Sequence, residues 1–240
     1  MRPTVDDVAI TRQKLLSLKK PIYGVLLGVT QELAELANDE IHITAVDKSS
    51  SMIDHQWIGN TSYRIAKLND WFELSSIVAN MDFVIGDGVF NVIDRKSRHF
   101  LMNSVRTILS DDGLLITRVH CNPENRESLE DILQSTTSNL VEFWCRLLAS
   151  SVDSNFEVSP SEVLKKFKEV ITAAHIARFG WTKEQLLLVE AYGNTPYLMT
   201  FGTETMFREL CEEHGMKVLS KSIGSYEHAD QWPTFTVRKV

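Results

Sequence analysis

Apolar residues along the first half of the chain fall into short runs separated by segments with helical spacing. Ile22–Leu27, Ile41–Val46, Tyr63–Leu68, Phe83–Ile85 and Leu114–Val119 have the length and continuity of buried strands. Between them, Gln31–Ala37, Ser51–Trp57, Trp71–Val78 and Val92–Leu109 read as helices, and Asp111-Asp112-Gly113 is a turn signal before the fifth strand. Ahead of Pro21, residues 4–19 carry Val8, Ile10, Leu15, Leu16 and Leu18 at the spacing of a short amphipathic helix. Strands alternating with helices predict an α/β fold with a mostly parallel sheet, covered on both faces. In such a sheet the ligand belongs at the carboxyl ends of the strands.

After His120 the rhythm changes, and residues 122 to about 190 show no convincing strand. Asn122-Pro123 opens one helix, Leu140–Ser150 forms another, and Ser159-Pro160-Ser161-Glu162 is a capping box. That box starts a helix with Val163, Leu164, Phe167, Val170, Ile171 and Ala174 on one face. Residues 183–190 form a further short helix. The block 122–195 reads as a helical insertion, a lid over the sheet's functional edge, within a single domain spanning 1–240. The α/β pattern then resumes with a helix over Thr203–His214, stopped by Gly215, and strands Met216–Leu219 and Phe235–Arg238.

A chain of 240 residues, 43% hydrophobic, can bury a sizeable core. Its net charge of −7 disfavours non-specific nucleic-acid binding. Cys121, Cys145 and Cys211 are odd in number and far apart, which suits a reducing compartment better than a disulfide framework. No membrane span and no signal peptide is visible, so a cytoplasmic location is expected. The spacing of His120 and Cys121 does not suit a metal, and none is expected.

Several residues could carry chemistry. Gly28 ends the first strand and Asp47 the second. A bare α-carbon lets a ligand approach the first turn, and the carboxylate can accept from both ribose hydroxyls of an adenosine-type cofactor. Gly28 is equally read as an ordinary turn glycine. Thr30 can cap the next helix or bond a ligand, and Glu32 suits the first helical turn. Glu32 also repels a pyrophosphate but tolerates an ammonium or sulfonium. Asp70 can accept from an adenine amine with Trp71 packed on the ring, or the two can be a helix cap and a core residue. Asp87, between Gly86 and Gly88, ends the fourth strand. Candidate bases are Asp87, His120 and His175. Phe90, Phe143, Trp144, Arg146 and Arg178 are core residues or, if the insertion is a lid, line a substrate pocket.

Taken together, Val25-Leu26-Leu27-Gly28-Val29-Thr30-Gln31-Glu32-Leu33, Ala45-Val46-Asp47-Lys48-Ser49-Ser50-Ser51-Met52, Asn69-Asp70-Trp71, Asp82–Phe90 and Leu109–Ile116 resemble, in order, the motifs of the class I, Rossmann-like S-adenosylmethionine-dependent methyltransferases. The resemblance covers roughly residues 20–120, and more weakly 198–240. It implies a doubly wound, seven-stranded sheet and S-adenosylmethionine as cofactor. It places Gly28, Val29, Thr30 and Glu32, then Asp47, Lys48 and Met52, then Asn69, Asp70 and Trp71, then Asp87 and Gly88 around that cofactor. In it Asp47 binds the ribose and Met52 packs near the adenine. Two loop glycines of the usual first motif are missing here, and an apolar Leu26 or Leu27 stands where an acidic residue is common. Glu32 would then take over the ammonium contact. The implied reaction is in-line transfer of a methyl group to a small molecule, with S-adenosylhomocysteine as product. A non-catalytic cofactor-binding or partner protein is the alternative, and a nicotinamide oxidoreductase comes third, because only Gly28 of its glycine pattern is present. No nucleic-acid or membrane partner is expected, and a homodimer stays open.

Overall fold

In the computed structural model, which describes residues 2–135 and 139–240, the first half of the chain follows the apolar runs closely. Helix α1 (Val5–Leu16) starts at a reciprocal capping box between Thr4 and Asp7. Then come β1 (Ile22–Leu27), the short α2 (Gln31–Ala34), β2 (Ile41–Asp47), α3 (Ser50–Gln56) and β3 (Arg64–Leu68). A 3-10 segment kinked at Glu73 (Trp71–Ser76) leads to β4 (Met81–Asp87), α4 (Arg95–Ile108) and β5 (Leu109–Arg118). β2 and β4 extend past their apolar runs because the polar ends Asp47 and Asp87 still pair in the sheet. Gly24 lies where β1 meets β4: a Cβ there would fall 2.4 Å from the Phe83 ring, so only glycine admits that close contact.

Two expectations for this half change. Asp111-Asp112-Gly113 lies inside β5, not before it. The pairing with β4 jumps from Met81↔Leu109 to Phe83↔Leu114, so these residues bulge from the ladder without ending the strand. The third crossover is a 3-10 turn where a helix over 71–78 was expected. Glu73 leaves helical geometry within it. One sheet face near β3 is therefore not fully covered: Tyr23 and Tyr63 are 48% and 39% exposed and flank His42, with Tyr23 stacked on it at 4.7 Å.

The chain divides into two compact units. One comprises residues 91–95 and 122–203. It contains α5 (Leu129–Gln134), α6 (Leu140–Ser150), β6 (Glu157–Val158), α7 (Pro160–Val170), α8 (Ala173–Phe179), α9 (Lys183–Glu190) and β7 (Met199–Thr200). Its core gathers Phe143, Trp144, Phe167, Phe179 and Trp181, with Phe179 and Trp181 stacked at 4.7 Å. The block is helical as expected, apart from the two-residue ladder of β6 and β7. Asn122-Pro123 does not open a helix. The Asn122 amide donates to the carbonyls of Ala149 and Phe201, which holds the segment extended, and Ser128 caps α5 instead. Only the Ser159 half of the expected capping box forms. Helix α7 ends at Val170, because Thr172 caps a new helix in which Ala174 lies.

The other unit holds residues 2–90, 96–121 and 204–240. Its remaining elements are α10 (Glu204–Glu213), β8 (Met216–Ser222) and β9 (Thr234–Lys239). The seven strands run in the order β3-β2-β1-β4-β5-β9-β8. β1 to β5 pair in parallel, and β9 is antiparallel to both of its neighbours. The order reverses between β1 and β4, which is the switch point where an open α/β sheet leaves a crevice at its carboxyl edge. Leu15, Leu33, Leu36, Ile43, Ile85 and Ile116 form a continuous core with Ile53 and Trp57 packed against it, and Phe207 of α10 contacts both Phe90 and Phe235. Among the described residues no helix is long and apolar enough to cross a membrane, and all three cysteines are free and buried.

Candidate functional site at the carboxyl edge of the sheet

Three residues singled out from the sequence converge at the ends of β1 and β2. Gly28 follows β1 with φ +84°, a left-handed conformation that a side chain would strain. Its N–H donates to the carbonyl of Val46 at 2.8 Å, and the same carbonyl accepts the indole N–H of Trp71 at 2.7 Å. A Cβ built on Gly28 would lie 3.7 Å from Trp71 Cζ2 and 3.9 Å from Asp47 Oδ2. Asp47 Oδ1 accepts the Ser49 N–H at 2.9 Å. Half-burial pushes the Asp47 carboxyl above the usual range, against the pull of that N–H and of Lys48.

The flanking residues divide between shaping the crevice and facing solvent. Asn69 donates through its amide to the Glu73 carbonyl and the Ser76 hydroxyl, and Asp70 caps the turn by accepting the Phe72 N–H at 3.0 Å. Both side chains therefore hold the turn that carries Trp71. Lys48 is exposed and Met52 is 46% exposed. Val29 is buried in the core, and Thr30 makes no capping bond to α2. Glu32 lies 3.4 Å from Arg2 through Oε1, while its Oε2 is buried with no hydrogen-bond partner.

At the ends of β4 and β5 the geometry differs from the sequence expectation. Both oxygens of Asp87 accept from Arg118, Oδ1 from Nε at 2.6 Å and Oδ2 from Nη2 at 3.1 Å. Arg118 also donates to Asp7 of α1 at 2.7 Å and to the Tyr226 hydroxyl at 3.1 Å, and its guanidinium lies over Trp232. Arg118 and Asp7 are 3% and 2% exposed. Burial opposes the Arg118 charge, but Asp87 and Asp7 outweigh it and hold its pKa above the ordinary value. Burial raises the Asp87 carboxyl against the pull of Arg118. Gly88 donates its N–H to the Arg118 carbonyl. His120 is 1% exposed, edge-on to Trp232, and burial pushes its pKa down to about 3, so it is neutral at physiological pH. Asp7, Arg118 and Tyr226 were not singled out from the sequence. The signal for Arg118 was a charge inside the apolar strand run Leu114–Val119, which must find partners when buried.

The remaining candidates have structural partners. Phe90 is a core residue against Phe207. In the helical unit, Phe143 and Trp144 belong to the aromatic core. Arg146 is ion-paired with Glu127 at 2.5 Å, and Arg178 donates to the carbonyls of Leu133, Gln134 and Ser135 at the end of α5. His175 accepts from the Thr172 N–H as part of the α8 cap. Phe90, Phe143, Trp144, Arg146 and Arg178 thus each pack in a core or bond a carbonyl or carboxylate.

The sheet order and its antiparallel β9 can be compared with solved structures. A Methanosarcina mazei protein described as a SAM-dependent methyltransferase superposes with a TM-score of 0.59 and 12% identity, over 100% of this chain and 99% of its own. This chain has the Rossmann-like methyltransferase fold. The same fold underlies the match to the 1,6-didemethyltoxoflavin-N1-methyltransferase of Burkholderia thailandensis, solved with 1,6-didemethyltoxoflavin and S-adenosylhomocysteine, at TM-score 0.57 and 12% identity over 98% of this chain and 76% of that one. A Rhodobacter sphaeroides protein described as a putative Zn-dependent alcohol dehydrogenase superposes at TM-score 0.64 with 14% identity, over 100% of this chain and 91% of its own. Among the described residues here, no group of three or more His, Cys, Asp or Glu side chains is arranged to hold a metal ion. No protein-family model matches the chain, and no curated protein matches it in sequence.

Proposed function

We propose that this chain binds S-adenosylmethionine at the carboxyl edge of its sheet and transfers the methyl group to a small molecule. The observation that carries this reading is the meeting of Gly28, Asp47 and Trp71 beside the switch point of the sheet. The residues present fit the adenosine half of that cofactor: Asp47 offers Oδ2 to ribose hydroxyls next to a bare α-carbon. Glu32 suits the ammonium, since its buried Oε2 lacks a hydrogen-bond partner and a positive group would satisfy it. The same carboxylate disfavours the pyrophosphate of a dinucleotide. The Methanosarcina protein's description and the S-adenosylhomocysteine bound to the Burkholderia enzyme support the same cofactor.

When bound, S-adenosylmethionine supplies a methyl group on an already activated sulfonium. The chain's own contribution is then to hold and align, which can supply much of a displacement barrier. Asp87 does not act as a proton acceptor in this arrangement, because both oxygens are committed to Arg118. The neutral His120 imidazole is sealed from solvent. An acceptor atom that is nucleophilic without deprotonation fits best. We assign its selection to the helical block inserted in the chain after β5. The committed Asp87 also favours a second reading, a protein of the same fold that binds the cofactor without turnover.

Thermal melts with S-adenosylhomocysteine and with NAD test the cofactor. A ligand at about 100 times its Kd stabilises by about 2.7 kcal/mol. A shift with S-adenosylhomocysteine alone is expected, and a shift with NAD alone would overturn the proposal. Conversion of S-adenosylmethionine to S-adenosylhomocysteine in the presence of a small-molecule acceptor separates the enzyme from the non-catalytic reading.

A further inference from the structure

We infer that Trp71 is a gate on the adenosine crevice, held shut by its indole N–H on the Val46 carbonyl and swung out when an adenosyl ligand enters. The inference rests on the cofactor reading above. The indole and the Asp47 carboxylate border the space over Gly28, since a Cβ there would be in ordinary contact with Trp71 at 3.7 Å and with Asp47 at 3.9 Å. A ribose lying over Gly28 with its hydroxyls on Asp47 would press on the six-membered ring of the indole, whose Cζ2 borders that space, and the ring would turn away.

The ring is built to leave. Trp71 is only half-buried and is tethered by one polar bond of 2.7 Å, whereas Leu74 in the same turn is fully buried and anchors the backbone. Asp70, through the Phe72 N–H, and Asn69, through Glu73 and Ser76, hold the turn without help from the indole. The Val46 carbonyl keeps the Gly28 N–H when the indole departs, so no buried acceptor is orphaned. Opening therefore costs about one net hydrogen bond, equivalent to roughly a tenfold factor in affinity.

The test uses the full chain with S-adenosylhomocysteine as the probe. Calorimetry and stopped-flow binding are compared for the wild type, Trp71→Phe and Trp71→Ala. A parallel sample carries 5-fluorotryptophan, with the Trp71 fluorine resonance assigned by its loss in Trp71→Phe. Removing the gate is expected to raise the association rate and the affinity about tenfold in Trp71→Ala. Trp71→Phe, which keeps a ring but loses the N–H, should show part of that gain. The Trp71 resonance should shift on saturation with ligand. Binding that weakens in Trp71→Ala, or a Trp71 resonance that stays put when ligand is bound, would overturn the gate while leaving the cofactor proposal intact. Absence of binding in all three proteins would overturn both.

Discussion

Replacing Arg118 with methionine should unlock the carboxyl edge of the sheet at a large cost in stability. The wild-type guanidinium bonds Asp87 at 2.6 and 3.1 Å, Asp7 at 2.7 Å and Tyr226 at 3.1 Å, with Arg118 and Asp7 both almost fully buried. Methionine keeps an apolar stem against Trp232 but strands two buried carboxylates. Breaking a buried ion pair by removing one partner costs about 3–5 kcal/mol. At about 2–4 °C per kcal/mol for a chain of this size, the melting temperature should fall by roughly 6–20 °C. The pH dependence gives a second check. Burial already raises the Asp87 carboxyl, so the stability this group contributes is fully present below the unfolded carboxylate range and is lost as pH rises through its folded value. Without Arg118 the Asp87 carboxyl rises further, so the deficit of the variant should be smaller at about pH 5 than at about pH 7.5. Melts by circular dichroism at both pH values measure it. Arg118→Lys should recover only part of the loss, since an ammonium cannot bond Asp87 in a bidentate fork. A fall below about 2 °C at neutral pH, less than 1 kcal/mol on the same scale, would show that the network is not holding the edge together. So would a deficit that is the same at both pH values.

Asp47→Asn should weaken S-adenosylhomocysteine by about 10- to 100-fold, the worth of charge-assisted hydrogen bonds, in calorimetric titration. Its melting temperature should hardly move, because an amide oxygen can still accept the Ser49 N–H. Phe143→Ala, which removes a fully buried ring from the aromatic core of the helical unit, should cost about 3–5 kcal/mol, read as loss of hydrogen-exchange protection in α6 and α7. His120, with its pKa pushed down to about 3 by burial, should show no imidazole titration by NMR across the physiological range. Because its folded pKa lies below its unfolded value, stability is lost as pH falls below about 6.5, and His120→Leu should flatten that slope in melts taken down the pH scale.

Strands such as β1 and β4 were legible because an apolar run buried on both faces needs no long-range information to be recognised. The weak points were residues whose local signal competes with a distant partner. Asp111-Asp112-Gly113 has turn chemistry, yet pairing with β4 carries the strand through it as a bulge. Asn122-Pro123 resembles a helix start, yet its amide is taken by Ala149 and Phe201. Aromatic residues such as Phe143 and Trp144 sit at helical spacing whether they line a pocket or a core, and only packing separates the two.

By itself the chain sequence determined the alternation of strand and helix, the parallel sheet, and the placing of Gly28, Asp47 and Asp87 at strand ends, because period and punctuation are local properties of a backbone. The tertiary structure alone decided what those strand ends face. It brought Trp71 onto Gly28 and Val46, joined Asp87 to Arg118 and Asp7 across the edge of the sheet, and buried His120 in neutral form. Those outcomes depend on which distant side chains share a low-dielectric space, and the spacing of residues along a chain does not encode that.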